Sequence, residues 1–167
     1  EFFDHRHHPS RPDYLIDHST LDWQKLLASW EWLLDEAQTF SPWLMNRFGD
    51  LFFVDEAGVV SWLNINDGEV TEVAKSEAEF VELLEDEANA DEWFMTALVD
   101  AVIETGMILK SAQCFGFKLL PVLDGEYDPS SVYVASIEEY WDCCGDVHEQ
   151  IDDLPDGTEI EIDISER

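Results

Sequence analysis

The chain has 167 residues, with 39 Asp and Glu against eight Lys and Arg, a formal net charge of −31 at pH 7. Hydrophobic residues make up 46% and aromatics 13%, including seven Trp and ten Phe, which suffices for one domain of ordinary size with a real core and excludes a disordered chain despite the charge. Charge of this sign argues against direct contact with nucleic acid or anionic membranes, since both would repel it.

Evenly spread charges would be largely screened at physiological salt, so only clustered carboxylates would steer a partner. The acidity therefore reads either as solubility or as a surface for a basic protein partner. Cys114, Cys143 and Cys144 are an odd number, and adjacent cysteines bond to each other poorly. That points to buried thiols in a reducing compartment, and so to a cytoplasmic location. No run of about 18 apolar residues and no signal peptide is visible, so no transmembrane helix is expected.

Residues 1–18 contain His5, His7 and His8 and two prolines without periodicity, and read as an N-terminal arm, tag-derived or disordered. Residues 19–167 read as the folded domain. Its first helix is expected to start near Ser19 and Thr20, with Trp23, Leu26, Leu27, Trp30, Leu33, Leu34 and Ala37 on one wide apolar face. Ser41-Pro42 ends that region, and Pro42-Trp43-Leu44 leads into a sheet. Leu51 to Asp55, Val59 to Ile65 and Val70 to Ala74 read as three strands of an antiparallel meander, with Asp67-Gly68 as a hairpin signal. Asn64, Asn66 and Asp67 invite a calcium-loop reading, but an EF-hand needs Gly where Glu69 stands, so a plain turn is expected.

Ser76 and Glu79 form a capping box for a second helix running to about Glu87, with Phe80, Val81 and Leu84 on its buried side. Asp91 is expected to open a third helix, with Trp93, Phe94, Ala97, Leu98, Ala101 and Val102 as its apolar stripe and Gly106 as its stop. Cys114 to Tyr127 is the longest apolar run without helical spacing. Pro121 and Gly125 break it into an extended piece and a turn. Its single cation, Lys118, is expected to lie partly buried against a carboxylate, Glu126 first. Val132 to Ala135 reads as a strand. Ser136 and Glu139 cap a last helix carrying Ile137, Tyr140, Trp141, Cys144, Val147, His148 and Ile151 at helical spacing. Ile160, Ile162 and Ile164 alternate with acids as a closing strand. The fold class is thus α+β: a single domain, an antiparallel β-meander and further short strands packed with about four amphipathic helices.

Candidate chemistry is sparse. His148 and Glu149 are adjacent on a helix and point about 100° apart, so a boundary or core histidine is expected rather than an acid/base pair. No GxSxG, no glycine-rich phosphate loop and no complete metal-ligand set is visible, so no catalytic residue, metal or cofactor is assigned. Asp142, Asp146, Glu149, Asp152 and Asp153 form an acidic edge on the last helix. A metal-dependent hydrolase or a nucleotide-handling enzyme would use such carboxylates, an interaction patch would too, and a solvated helix face needs no function at all.

Several segments resemble the C-terminal domain family of type VI secretion immunity proteins, which protect a bacterium against DNase-type effectors. They are Phe48-Gly49-Asp50-Leu51-Phe52-Phe53, Gly68-Glu69, Glu92-Trp93 and Gln113-Cys114-Phe115-Gly116-Phe117-Lys118. Pro121-Val122-Leu123-Asp124-Gly125-Glu126-Tyr127, Gly145-Asp146-Val147-His148-Glu149-Gln150 and Leu154-Pro155-Asp156-Gly157 complete the set. Asp124 and Asp146 depart from the family pattern, which has Gly and Gln there, and both departures add negative charge. The resemblance implies a non-enzymatic module that binds and neutralises a secreted toxin, itself a basic protein of nuclease type. Asp124, Glu126, Tyr127 and Asp128 in the turn, with Asp142, Asp146, Glu149, Asp152 and Asp153 on the helix, are the expected partner-binding residues.

Overall fold

The computed structural model describes residues 14–34 and 40–152; the expected closing strand and Asp153 lie outside the described residues. Five antiparallel strands form one sheet in sequential order: β1 (Leu15–Ile16), β2 (Phe40–Asn46), β3 (Leu51–Asp55), β4 (Val60–Asn64) and β5 (Glu69–Ala74). The three strands expected from the hydrophobic pattern are present. β1 and β2 were not expected, and β1 falls within residues 1–18.

β2 was hidden by Pro42, which has no N–H to donate. β1 reaches only Met45 and Asn46, so the side of β2 at Pro42 has no ladder partner there, and the register with β3 slips between Pro42 and Leu44. A proline is tolerated in a strand at such a one-sided, irregular place.

The sheet is covered on both faces. α1 (Trp23–Ala28) and α5 (Ile137–Asp152) pack with Met45, Leu51, Phe53, Leu63 and Ile65 on one face; α2 (Glu77–Leu83) and α3 (Glu87–Phe94) pack with Leu44, Phe52, Val60 and Trp62 on the other. Leu51-Phe52-Phe53 are therefore all buried, a continuous apolar run rather than an alternating one. A small ribbon of β6 (Gln113–Phe117) and β7 (Val132–Ser136) completes the fold, and Phe48, Phe115, Phe117 and Val132 join it to α4 (Thr96–Glu104).

Two helix expectations need correction. The first helix is one short piece capped by Asp22, whose carboxylate accepts the Lys25 N–H. From Ala28 onward the chain tightens into turns, with Trp30 N–H donating to Leu27 O and Leu33 N–H to Trp30 O. Tertiary packing decides this: Trp30 is fully buried, stacked on Trp32 and set beside His148. The third helix is in fact two. Met95 takes a left-handed conformation (φ 51°) that separates α3 from α4. Asp91 does start a helix, but the one after its own: its Oδ1 accepts the Ala97 N–H and the Thr96 hydroxyl.

Both expected capping serines act. Ser76 Oγ accepts the Glu79 N–H while Glu79 reaches back to the Lys75 N–H, and Ser136 Oγ accepts the Glu139 N–H. Gly106 (φ 96°) follows α4 as expected.

Candidate functional site

The buried polar network around Asp50 orders the residues that reach the surface. Asn46 Oδ1 accepts the N–H groups of Phe48 and Asp50, closing the β2–β3 connection around Gly49 (φ 85°). This aims the Asp50 carboxylate into the interior. Its Oδ1 accepts from Ile65 N–H and Asn66 Nδ2, each at 3.0 Å, and its Oδ2 from Asn46 Nδ2 at 3.1 Å and Trp62 Nε1 at 3.4 Å. Complete burial pushes the Asp50 pKa up to about 7, against the opposing pull of these donors.

Asn66 passes the network on. Its Oδ1 accepts the Tyr140 hydroxyl at 2.5 Å, that hydroxyl accepts the Phe117 N–H, and Asn66 O meets His148 Nε2. Trp141 Nε1 donates to Gly49 O at 2.8 Å. The five-stranded sheet, the small ribbon and α5 are thus joined by one hydrogen-bonded core. Sequence reasoning read Asn64, Asn66 and Asp67 as a plain turn. They do form one, with Asn64 Oδ1 accepting the N–H groups of Asn66 and Asp67, but the buried side chain of Asn66 also reaches Asp50. Asp50 lies in a quoted motif, yet its role was not legible.

Glycines permit the close approaches. A Cβ on Gly68 (φ 76°) would lie 2.5 Å from His148 Nδ1, and one on Gly145 would lie 2.4 Å from Ser29 O. His148 is buried and Glu149 is exposed, so the two form no acid/base pair. Burial holds the His148 pKa below its usual value and raises the thiol pKa values of Cys114 and Cys144. Among the described residues no group of three or more His, Cys, Asp and Glu is arranged to hold a metal ion, and no helix is long and apolar enough to cross a membrane.

A cleft of about 700 Å³ lies between β4–β5 and the α3–α4 pair. Its lining includes the indoles of Trp62 and Trp93, the small and aliphatic side chains of Thr71, Val73, Ala97, Leu98 and Ala101, and the carboxylates of Asp67, Glu69, Asp91 and Glu92. Tyr127 and Pro129 also line it.

The expected partner-binding residues divide. Tyr127 lines this cleft, is 57% exposed and packs edge-on against Phe117. Asp124 (φ 71°) ends a 3-10 turn at Pro121–Leu123, while Asp128 begins another by accepting from the Ser130 N–H and hydroxyl, which holds its carboxyl below the usual range. Glu126 is exposed. It does not pair with Lys118, and this corrects the expectation: Lys118 is exposed and its Nζ donates to Ser130 O at 3.0 Å. The Lys118 backbone N–H continues the pairing by donating to Ser131 O, but its side chain is exposed and needs no buried carboxylate.

On α5, Asp142, Asp146, Glu149 and Asp152 are exposed, and none of them lines the cleft. Asp142 accepts from Ser29 Oγ, and Glu138, one turn earlier, pairs with Lys25 at 2.9 Å. Part of the acidic edge therefore fastens α1, and Asp146, Glu149 and Asp152 are the part turned outward.

Residues 74–148 match the model of a family described as T6SS immunity protein Tdi1, C-terminal. The match runs from the end of β5 to His148 and takes in α2, α3, α4, β6, β7 and most of α5. The resemblance seen in the sequence holds over that span, while the Phe48–Phe53 and Gly68-Glu69 segments lie before it and Leu154-Pro155-Asp156-Gly157, with Glu149 and Gln150, lies after it. No curated protein matches the chain.

Proposed function

We propose that this protein is an immunity protein of a type VI secretion system that binds a secreted effector toxin in the cytoplasm and neutralises it without chemistry of its own. The family match over residues 74–148 is the observation that carries this reading. The toxin is of nuclease type. A nuclease must approach a polyanion and so presents cations, and a chain of net charge −31 is its electrostatic complement. Asp146, Glu149 and Asp152 on α5, together with the turn from Asp124 to Asp128, form the acidic surface that draws the toxin in. Asp142 contributes charge while fastening α1, and Asp153 adds one more carboxylate next in the sequence.

The test is co-expression with the effector encoded beside this gene. Cells making the effector are expected to survive only when this protein is present, and the two purified proteins to form a complex. An effector that kills regardless, and that does not bind, overturns the reading.

A further inference from the structure

The cleft between β5 and the α3–α4 pair has carboxylates with two different occupations. Asp67 accepts from Asn64 Nδ2, and Asp91 caps α4, so both serve the fold. Glu69 and Glu92 are exposed, and their side chains make no hydrogen bond or ion pair among the described residues. They raise the negative charge of a cleft that has no lysine or arginine in its lining. β5 is also the last strand of its sheet, so its outer edge has no strand partner among the described residues. Tyr127, more than half exposed, lines the same cleft.

An anionic ligand would be repelled by four carboxylates. A purely apolar one would leave Glu69 and Glu92 desolvated without compensation. A cation on an aliphatic stem meets both halves: carboxylates and an aromatic ring for its head, alanine and leucine walls for its stem. The volume, about 700 Å³, suits an entering segment rather than a lone ion.

We propose that this cleft anchors an arginine- or lysine-bearing segment of the effector, with the cationic head held by Glu69, Glu92 and the ring of Tyr127 and the stem laid along α4. The proposal rests on the immunity reading for the identity of the partner and gives it a seat. Charge on α5 governs how fast the partner arrives, and the desolvated cation in the cleft governs how slowly it leaves.

The experiment has two arms on the full chain. In the first, tetra-arginine and tetra-glutamate peptides are titrated while backbone amide NMR signals are followed. Tetra-arginine is expected to shift residues 69–73 and 91–101, tetra-glutamate to shift nothing, and a Glu69→Gln/Glu92→Gln variant with unchanged circular dichroism to lose the response. Shifts centred on residues 146–152 instead, or a response unchanged in the variant, overturn the cleft as the cation seat.

In the second arm the purified effector encoded beside the gene is bound to wild type and to Glu69→Lys/Glu92→Lys. Binding at least about tenfold weaker, through faster dissociation, supports the anchor. Equal binding overturns the anchor and leaves the immunity reading standing. Failure of wild type to bind the effector while tetra-arginine still occupies the cleft overturns the immunity reading and supports the cleft as a cation site.

Discussion

Asp50 shows how much one buried side chain decides. Both carboxylate oxygens face N–H donors, so Asp50→Asn must turn an amide NH2 toward one donor pair. Leaving that pair unsatisfied should cost about 2–3 kcal/mol. The cost should vary with pH. Burial pushes the folded carboxyl up to about 7 from the ordinary 3.8, so its contribution to stability is full below the lower value and is lost as pH rises through the upper one. His148 works the other way: its lowered pKa makes its contribution present above the ordinary histidine range and lost on acidification. Comparing variant with wild type cancels the histidine. Urea denaturation should therefore show Asp50→Asn more destabilising at pH 5 than at pH 8, and an equal cost at both would mean that Asp50 is not held protonated. Gly68→Ala places a methyl against the His148 ring at a positive φ and should lower stability by more than about 1 kcal/mol, read by the same denaturation. Lys118→Met should change stability by less than about 0.5 kcal/mol, because the lysine is exposed and bonded only to a carbonyl.

Elements are punctuated by side chains that act across their own boundaries. Asp91 sits inside α3 and caps α4, so Asp91→Ala should cost about 1 kcal/mol and raise amide exchange over the first turn of α4 while leaving α2 protected. An equal rise in α2 would mean global rather than local opening. α5 has a similar double role. Its inner face holds Tyr140, Trp141, Cys144, Val147 and His148 in the core, one flank ties α1 through Glu138 and Asp142, and Asp146, Glu149 and Asp152 are exposed. Neutralising Asp146, Glu149 and Asp152 together should leave the melting temperature nearly unchanged. It should slow association with the effector and flatten the salt dependence of that rate, as surface-plasmon kinetics at low and high salt would report. Association unchanged by the triple variant would remove α5 from the steering surface.

The described residues stand on three apolar clusters and the Asp50 network, and hold no metal-ligand group. Heating with and without EDTA should give the same Tm, and a fall of many degrees on chelation would reveal a structural metal.

The sequence by itself determined the elements whose causes are local. The meander from Leu51 to Ala74 follows from short apolar runs separated by turn residues, Asp67-Gly68 among them, the start of α2 from Ser76 and Glu79, and α5 from a long 3.6-residue apolar stripe opened by Ser136. It also determined the excess of negative charge. Tertiary structure alone decided what depends on partners distant in the chain. β2 exists despite Pro42 because β1 leaves that edge unpaired. The stripe after Ala28 turns instead of coiling because Trp30 is buried against α5. The cleft brings β5, α3, α4 and Tyr127 together although no pattern in the chain links them. Asp50 and Asn66 look like ordinary turn residues until the fold withdraws water from them, since the cost of burying a polar group, and so its need for partners, arises only once the chain has packed.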